Sequence, residues 1–520
     1  MIKLTIDKHT IEVPTGTSVW QAAKSVGIEI PTMCYLEGTE HFTSCMVCLV
    51  KDAHTGRLFA SCSVPVSEGQ NIITNDAETT ESRKAALELL LSEHVGDCEA
   101  PCQLVCPAHT NIPLMNRLIA KGDFAKALEV VKRDIALPSV LGRICPAPCE
   151  AGCRRKQVDE AVSICHLKMF VGDEDLKSDK PYLPKLAPLS EKKVAVIGAG
   201  PAGLAAAYSL QQKGHQTVIF DKNNQAGGEL RQIGEELLPA SVIDQEVAQI
   251  LATGVELRLN EAIDADRFAQ LSDAFDAVVV ATGTITEETS AFCLKASKTG
   301  FLADKTSYQT SITNVFAVGN SLRASKLAVR SVGQGKEVAT VIDNYFKTGE
   351  VKGYPERFNS KFGRLAEPEF IQYKKDSEDA PRQKSEASGF SLEAAVIEAK
   401  RCMHCDCRTP ESCVLRELSD RYQAVQKRFQ GEERFDVVKF IHQEGIVYES
   451  NKCIKCGICV RLTREHQEEF GFTFIGRGFD VKIGVPFNES VQKALEKTAA
   501  IVAKACPTGA LAMFGVEEQV

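Results

Sequence analysis

Residues 194–203 read VAVIGAGPAG, and this stretch decides the fold expected for the middle of the chain. An apolar run leads into a Gly-x-Gly-x-x-Gly turn at Gly198, Gly200 and Gly203, and an alanine-rich segment follows. A strand, a tight glycine turn and a helix in this order bring a helix N-terminus to the pyrophosphate of a dinucleotide. The stretch therefore predicts a dinucleotide site in a doubly wound α/β domain.

A second predicted strand supports this interpretation. Thr217–Phe220 ends at Asp221, an acidic residue placed to bind ribose hydroxyls. Besides the glycines and Asp221, the candidate binding residues of the turn and of the second strand end are Pro201, Ala202 and Lys222.

Length, charge and apolar content argue against nucleic-acid-binding, membrane-spanning and secreted proteins. The chain has 520 residues, enough for three or four domains, and its net charge of −8 argues against a nucleic-acid partner. No stretch approaches the roughly 20 apolar residues that span a bilayer, and the first residues lack the apolar core of a signal peptide. We expect a cytoplasmic protein with no membrane span.

Twenty cysteines are the strongest signal in the composition. Disulfides suit small secreted domains that lack a core, and this chain is long. Its cysteines stand in tight groups two or three residues apart, a spacing typical of metal clusters in a reducing compartment. The exception is Cys293, which has no cysteine neighbours and is expected to be a packing residue.

The sequence predicts a multidomain protein of mixed α/β and α+β class. Residues 1–77 form a β-rich domain, in which Met1–Ile6 and Thr10–Val13 alternate like a hairpin. Residues 78–170 are mostly helical, 193–346 form the dinucleotide domain, and 393–520 carry the last cysteine groups. A helix is expected at Ser18–Val26, with Thr17 or Ser18 as its N-cap.

The first cysteine group has the spacing C-x10-C-x2-C-x13-C. Four thiolates satisfy one iron–sulfur cluster, whereas a zinc ribbon prefers two C-x2-C pairs and only one occurs here. The spacing therefore favours a 2Fe–2S cluster. Its expected ligands are Cys34, Cys45, Cys48 and Cys62.

Residues 5–35, SCMVCLV at 44–50 and FASCSVPV at 59–66 resemble the N-terminal ferredoxin domain of the complex I large iron–sulfur subunit. The same domain, a β-grasp fold, begins iron-only hydrogenases and some formate dehydrogenases. The helix at 81–98 also matches, and there the family has a His-x3-Cys pair that begins a His/Cys3 4Fe–4S cluster. The resemblance implies His94 and Cys98 as ligands; the alternative for His94 is a surface histidine at a helix end.

The stretches CEAPCQLVCPAHTNIP (98–113) and RICPAPCEAGC (143–153) resemble the helical domain of the glutamate synthase small subunit and of dihydropyrimidine dehydrogenase. That domain holds two 4Fe–4S clusters with interleaved ligands. The resemblance implies one cluster on Cys98, Cys102, Cys153 and His94. It implies a second cluster on Cys106, Cys145, Cys149 and Cys165.

Three further stretches resemble the FAD domain of the glutamate synthase small-subunit family. They are AGGELR at 226–231, ATG at 281–283 and NVFAVGN at 314–320. The resemblance implies FAD as the dinucleotide. The flavin contacts that it implies involve Gly228, Leu230, Arg231, Ala281, Thr282, Gly283, Gly319 and Asn320. The family has Gly-Asp where this chain has Gly319-Asn320, so one negative charge is lost.

A nicotinamide domain is missing from this pattern. The family inserts a complete NAD(P)H-binding domain after the ATG motif, but only 17 residues separate Gly283 from Phe301 here. A βαβ unit needs roughly 30 residues. We therefore expect a single Rossmann-like FAD domain that lacks the NAD(P)H domain.

The C-terminal region carries two more cysteine groups. Cys402, Cys405, Cys407 and Cys413 form a compact set, interpreted as a 4Fe–4S site with structural zinc as the alternative; His404 is a bystander. The second group is Cys453, Cys456, Cys459 and the Cys-Pro residue Cys506, typical of a 4Fe–4S ferredoxin, with Thr463 where ferredoxins place another cysteine. The segment 453–511 again resembles the complex I large subunit.

These patterns predict one FAD, one 2Fe–2S cluster and about four 4Fe–4S clusters, with no acid–base catalyst in the chain. The resemblance implies an electron-transfer subunit of an NAD(P)H-, ferredoxin-, hydrogen- or formate-linked oxidoreductase, a class that includes electron-bifurcating complexes. Its implied partners are an FMN/NADH-binding subunit and a small 2Fe–2S subunit, or ferredoxin. The alternatives are a stand-alone flavoenzyme that reduces a small substrate or supplies an amidotransferase-type synthase, and a structural scaffold with a vestigial flavin site.

Overall fold

The computed structural model describes residues 1–40, 42–383, 389–432, 434–441 and 445–513. They divide into two compact units. The first unit comprises Met1–Glu99, Arg357–Asp376 and the described residues from Cys405 onward, and the second comprises those of Ala100–Glu356 and Ser377–His404. The bounds of the four domains expected from the sequence remain predictions.

The strands, in chain order, are β1 Ile2–Ile6, β2 His9–Val13, β3 Leu49–Asp52, β4 Leu58–Ala60, β5 Asn71–Ile73, β6 Lys193–Ile197, β7 Gln216–Phe220, β8 Glu256–Arg258, β9 Ala277–Val280, β10 Ala296–Ser297, β11 Gly300–Phe301, β12 Val315–Ala317, β13 Lys439–Ile441, β14 Ile446–Glu449, β15 Thr473–Ile475, β16 Lys482–Gly484 and β17 Leu511–Met513.

The α-helices are α1 Val19–Ser25, α2 Ala77–Glu93, α3 Pro101–Leu104, α4 Ile112–Ala120, α5 Phe124–Asp134, α6 Pro138–Ile144, α7 Pro148–Ala151, α8 Ile164–Leu176, α9 Pro201–Gln212, α10 Ala240–Leu251, α11 Ala265–Ala274, α12 Glu287–Ser290, α13 Ala328–Thr348, α14 Glu367–Lys374, α15 Leu392–Lys400, α16 Val414–Arg421, α17 Ile458–Glu465, α18 Val491–Ala494 and α19 Ala499–Ala505. None of those in the described part of the chain has the length and apolar character needed to cross a bilayer.

A five-stranded mixed sheet organises the start of the first unit. Its order is β2-β1-β5-β3-β4, with β1 antiparallel to β2 and parallel to β5. The hairpin expected from the alternating N-terminal sequence is therefore confirmed. Helix α1 is capped by Ser18, whose side chain accepts from the backbone N–H of Gln21, so the second of the two expected N-caps is the correct one.

Helix α2 connects this sheet to the segment that carries the candidate ligands His94 and Cys98. Asp76 caps the helix, and the buried side chain of Arg83 donates to the carbonyl oxygens of Leu49 and Thr74. The helix ends at Glu93, and its C-cap residue His94 adopts an extended conformation. The segment that follows carries Cys98.

The rest of the first unit packs around a small antiparallel sheet of order β13-β14-β17. Buried residues of α2, α16, α17 and α19 share one apolar core with this sheet, including Leu87, Leu415, Tyr448, Leu462 and Val502. Burial of this apolar surface is the main stabilising contribution to the unit.

The second unit begins with helices. Helix α6 packs against α8, α4 packs against α5, and α15, from late in the sequence, packs against α4. Glu246 of α10 joins this helix to the start of α6. Its carboxylate accepts the backbone N–H groups of Ser139 at 2.7 Å and Val140 at 3.0 Å. These two N–H groups lie at the start of α6, where no intrahelical acceptor exists.

A parallel sheet forms the centre of the second unit. Its order is β12-β9-β6-β7-β8, and every neighbouring pair is parallel. The segment between Gly283 and Phe301 holds the short helix α12 and the two-residue strands β10 and β11, which pair as a small antiparallel ribbon. No second βαβ unit occurs among its described residues.

Candidate redox-cofactor sites

The first cysteine group forms a buried site on the loops around β3 and β4. Cys34, Cys45, Cys48 and Cys62 are at most 4% exposed, and the Sγ atoms of Cys48 and Cys62 lie 3.0 Å apart. A hydrogen bond from Cys45 lowers the pKa of Cys34 to about 5, and one from Cys62 lowers the pKa of Cys48 to about 7. One thiol of each pair is thus already disposed to ionise, as iron ligands must.

The second site is a cavity in the helical part of the second unit. Four thiols line it, from Cys106, Cys145, Cys149 and Cys165, and apolar side chains such as Met115 and Ile135 complete the wall. The structure thus brings together the four residues that the resemblance implied as one ligand set. Their role as ligands remains a proposal.

Lys168 also lines this cavity, and sequence reasoning missed it. Its Nζ lies 3.6 Å from the Sγ of Cys165, one helical turn earlier in α8. Burial opposes the charge of Lys168, but the thiolates of Cys165, Cys145 and Cys149 outweigh it and raise the pKa of the ammonium group. The i,i+3 spacing to Cys165 was the available signal.

The third site lies at the C-terminal sheet of the first unit. Cys453, Cys456, Cys459 and Cys506 line one cavity with Tyr448. Burial raises the pKa of Cys453 to about 12, so an isolated thiolate is unfavourable there and a cationic cluster would compensate it. The cavity joins the C-x2-C-x2-C run to the distant Cys-Pro residue, as the spacing had led us to expect.

Thr463 has a structural role beside this cavity. Its hydroxyl donates to the carbonyl of Cys459 at 3.0 Å and accepts the backbone N–H of Phe472 at 3.1 Å. These bonds fix α17 against β15.

A fourth group of thiols lies between α2 and α16 in the first unit. Cys98, Cys407 and Cys413 are buried, and Cys407 donates its backbone N–H to the carbonyl of Cys98 at 3.1 Å. Burial and the charge of Cys407 raise the pKa of Cys98 to about 11 and that of Cys413 to about 12. Such thiols stay protonated unless a bound cation compensates their charge, which fits a metal-cluster site.

His94 contacts Lys452, a residue that interacts electrostatically with Cys98 and Cys407 of this group. Its Nδ1 lies 3.0 Å from the carbonyl oxygen of Lys452. Burial and the positive charge of Lys452 lower the pKa of His94 to about 4, so the imidazole is neutral at neutral pH. The side chain is 7% exposed, which differs from the surface position considered as its alternative.

The remaining cysteines are distributed over both units, and their predicted groupings stay predictions. Cys102, Cys153 and Cys402 belong to the second unit, whereas Cys98, Cys405, Cys407 and Cys413 belong to the first. In the second unit, Arg155 donates to the carbonyl of Arg401 at 3.1 Å, so the segments that carry Cys153 and Cys402 lie side by side. Sequence spacing could not reveal this, because distant segments are joined only by tertiary packing.

Among the described residues, no three His, Cys, Asp or Glu side chains converge tightly enough to hold a single metal ion. A cluster spreads its ligands around several iron atoms, so its ligands stand farther apart than those of one zinc ion. Cys293 is exposed and lies outside every group.

The dinucleotide site occupies the turn between β6 and α9. A Cβ at Gly203 would lie 1.9 Å from the carbonyl oxygen of Gly198, so only glycine permits this close turn. Asp221 accepts the backbone N–H of Ala199 at 2.7 Å and thereby joins the turn to the end of β7. The AGGELR loop returns to the turn, where Gly227 donates to the carbonyl of Ala199 at 2.8 Å.

A cavity of about 420 Å³ opens beside this turn. Its lining includes Gly198, Asp221, Lys222, Glu261 and Thr282. The buried Oγ1 of Thr282 has no hydrogen-bond partner among the described residues, so a polar group of a bound cofactor would satisfy it. Glu261 is a further candidate contact, and no sequence motif pointed to it.

The other candidate flavin residues make contacts around the turn. Asn320 donates to Glu229 at 3.1 Å, and Gly319 donates its backbone N–H to Gln334 at 2.8 Å. Arg231 is held by the carbonyl of Ala226 and by Asp244. Gly228 approaches Gly200, since its Cβ would lie 3.0 Å from that residue's Cα. Leu230 is buried.

Comparison with known sequences assigns the parts of the chain. Residues 1–77 match a 2Fe-2S iron-sulfur cluster binding domain, and residues 75–180 match dihydropyrimidine dehydrogenase domain II, 4Fe-4S cluster. Residues 196–255 match an NAD(P)-binding Rossmann-like domain, and residues 444–512 match the ferredoxin-like domain of NADH-quinone oxidoreductase subunit 3. The chain joins two redox families in one polypeptide. The expected fold class is therefore confirmed, and the matched domains bind 2Fe–2S and 4Fe–4S clusters and fit FAD.

The curated relatives are redox proteins. The chain is 39% identical over 207 residues to the NADP(+)-dependent formate dehydrogenase subunit beta of Moorella thermoacetica, covering 35% of this chain and 29% of that protein. It is 37% identical over 190 residues to the NADPH-Fe(3+) oxidoreductase subunit beta of Geobacter sulfurreducens, covering 35% and 28%. It is 34% identical over 201 residues to the glutamate synthase [NADPH] small chain of Bacillus subtilis, covering 36% and 40%. The chain thus spans less than half the length of these relatives.

Proposed function

We propose that this chain is an electron-relay subunit that carries one FAD and five iron–sulfur clusters within a larger oxidoreductase. Electrons enter from one protein partner and leave to another. The relatives that share its domains include subunits of formate dehydrogenase and of an NADPH-Fe(3+) oxidoreductase by name, which supports this assignment.

One observation carries the proposal. The second unit has a single parallel sheet with a glycine turn, and a short ribbon stands where the glutamate synthase small-subunit family has its nicotinamide domain. Hydride transfer needs the nicotinamide held against the flavin. No such domain occurs among the described residues, so the chain would depend on a partner for electrons derived from NAD(P)H.

The chain's own residues hold and tune the cofactors. When bound, FAD would supply a centre that can take up two electrons and release them one at a time. The turn at Gly198–Gly203 and the unpaired hydroxyl of Thr282 would hold the pyrophosphate and a polar group of the cofactor. Lys168 places a positive charge beside the thiols of its cavity and thereby favours the reduced, more negative state of a cluster there.

The partners and the compartment belong to the same proposal. An FMN/NADH-binding subunit with a small 2Fe–2S subunit, or ferredoxin, would exchange electrons with the chain. The net charge of −8 suits docking to a basic surface. A cytoplasmic location keeps the grouped thiols reduced and available for iron.

A second candidate is a stand-alone flavoenzyme that supplies a synthase. The similarity to the glutamate synthase small chain favours it. This function would require a nicotinamide site of its own in the chain.

The cofactor content of the chain and the number of electrons that it takes up test the proposed relay. Anaerobically reconstituted full-length chain should contain about 18 iron atoms and one FAD, and dithionite titration should deliver about seven electrons, two to the flavin and one to each cluster. A measured content of about 14 iron atoms and one zinc would mean that one of the expected 4Fe–4S sites holds zinc instead. A chain without bound FAD, or with one or two clusters, would contradict the relay.

A further inference from the structure

The fourth group of thiols carries an inference beyond the ligand sets that the sequence implied. We propose that His94, Cys98, Cys407 and Cys413 hold one 4Fe–4S cluster, built from the end of helix α2 and the segment before helix α16. The inference rests on the proposed relay function and deepens it, because it assigns a cluster whose ligands come from opposite ends of the chain.

Backbone hydrogen bonds join the segments that carry Cys98 and Cys407. Cys407 donates its N–H to the carbonyl of Cys98, and Cys98 donates its own N–H to the carbonyl of Ser360 at 3.2 Å. The backbone N–H of Ser360 in turn approaches the Sγ of Cys98 at 3.4 Å. This thiol is therefore fixed in place with a donor already directed at its sulfur, as is common around cluster thiolates.

Cys407 and Cys413 complete the sulfur set. Cys407 is joined to Cys98 by the backbone hydrogen bond of 3.1 Å, and the charge of its thiol raises the pKa of both Cys98 and Cys413. The backbone N–H of Arg416, in the first turn of α16, donates to the Sγ of Cys413 at 3.4 Å. All three thiols are less than 9% exposed.

His94 supplies the fourth ligand through Nε2. A carbonyl oxygen only accepts hydrogen bonds, so the contact with Lys452 requires the proton on Nδ1 and leaves a lone pair on Nε2. A histidine that binds a metal usually donates its other ring N–H to such a backbone oxygen. Lys452 also interacts electrostatically with Cys98 and Cys407, so three of the four proposed ligands interact with this one residue.

Positive side chains around the site would offset the charge of three thiolates. Arg416 is buried, acts on Cys98 and pairs with Glu99 at 2.5 Å. Lys452 is buried and forms an ion pair with Glu449 at 2.5 Å. A group of buried thiolates requires such compensation, and a cluster provides the remainder.

The proposal changes two groupings. It separates Cys98 and His94 from Cys102 and Cys153, and it separates Cys407 and Cys413 from Cys402 and Cys405.

Nitrogen spectroscopy on the full-length chain tests the ligand set. With 15N-histidine labelling, the reduced protein should show a strong 15N hyperfine coupling to one 4Fe–4S signal in pulsed EPR. In His94→Cys the iron content should be retained and that coupling should vanish. Absence of the coupling in the wild type, or its survival in His94→Cys, would overturn the assignment.

Serine variants test the cysteines. Cys98→Ser, Cys407→Ser and Cys413→Ser should each abolish or alter the same EPR signal, whereas Cys293→Ser, the control, leaves all signals unchanged. A signal lost in Cys98→Ser and Cys102→Ser but intact in Cys407→Ser would contradict the proposal. These outcomes concern ligands only, so they stand apart from whether a nicotinamide nucleotide reduces the flavin.

Discussion

The backbone N–H of Cys407 donates to the carbonyl oxygen of Cys98 at 3.1 Å, which joins two cysteines from opposite ends of the sequence. Arg83 of helix α2 and Tyr422, which follows α16, are also hydrogen-bonded at 3.2 Å. The first unit is thus formed by N-terminal and C-terminal segments together. A ligand set assembled this way depends on the folded unit and cannot form on either segment alone.

Cys506→Ser should remove one cluster from the first unit. Without Cys506, the cavity keeps three thiols, and Thr463 is already engaged with Cys459 and Phe472. We expect a loss of about four iron atoms and one EPR signal. Cys293→Ser is the matched control, and unchanged iron in Cys506→Ser would refute Cys506 as a ligand.

Lys168→Met should lower the midpoint potential of the cluster expected on Cys106, Cys145, Cys149 and Cys165. The substitution keeps much of the side-chain volume but removes a buried positive charge 3.6 Å from Cys165, so electron uptake becomes less favourable. An EPR-monitored redox titration measures the shift. Lys177→Met, at an exposed position after the same helix, should leave the potential unchanged. Equal potentials in Lys168→Met and the wild type would contradict the placement of this charge.

Glu246 should make stability depend on pH. Burial raises its folded pKa from 4.5 to about 7. A raised folded pKa means that its stabilising contribution is complete below about pH 4.5 and is lost as the pH rises through about 7. The loss amounts to no more than about 3 kcal/mol.

Glu246→Gln provides the comparison for this effect. The variant loses part of the acceptor capacity for Ser139 and Val140 but no longer titrates. The unfolding midpoint of the wild type should therefore fall relative to that of the variant as the pH rises from 5.5 to 8. A difference that is constant across this range would show that Glu246 does not titrate there.

Local sequence patterns predicted the elements well. The N-terminal alternation gave the hairpin β1–β2, and the spacing around Gly198 gave the strand, turn and helix, because neighbouring residues alone determine these features. The run at Cys453 and the Cys-Pro residue Cys506 likewise lie along one cavity.

Long-range assembly was less accessible from the sequence. The spacing between Cys402 and Cys413 indicated one compact set of four ligands, and this grouping stays a prediction. The position of Lys452 beside His94 and Cys98 follows from the packing of β14 and α2 in a shared core, which no local motif encodes. Short spacing constrains only nearby residues, and distant segments meet through apolar burial.

Anaerobic stopped-flow spectroscopy of the isolated full-length chain tests the relay function most directly. The reconstituted chain is mixed with NADH or NADPH, and flavin and cluster absorbance are followed; dithionite serves as the control that every centre can be reduced. We predict that neither nucleotide bleaches the flavin rapidly, and that addition of a partner carrying an NADH site restores reduction. Rapid flavin bleaching by either nucleotide without a partner would contradict the relay and favour the stand-alone enzyme.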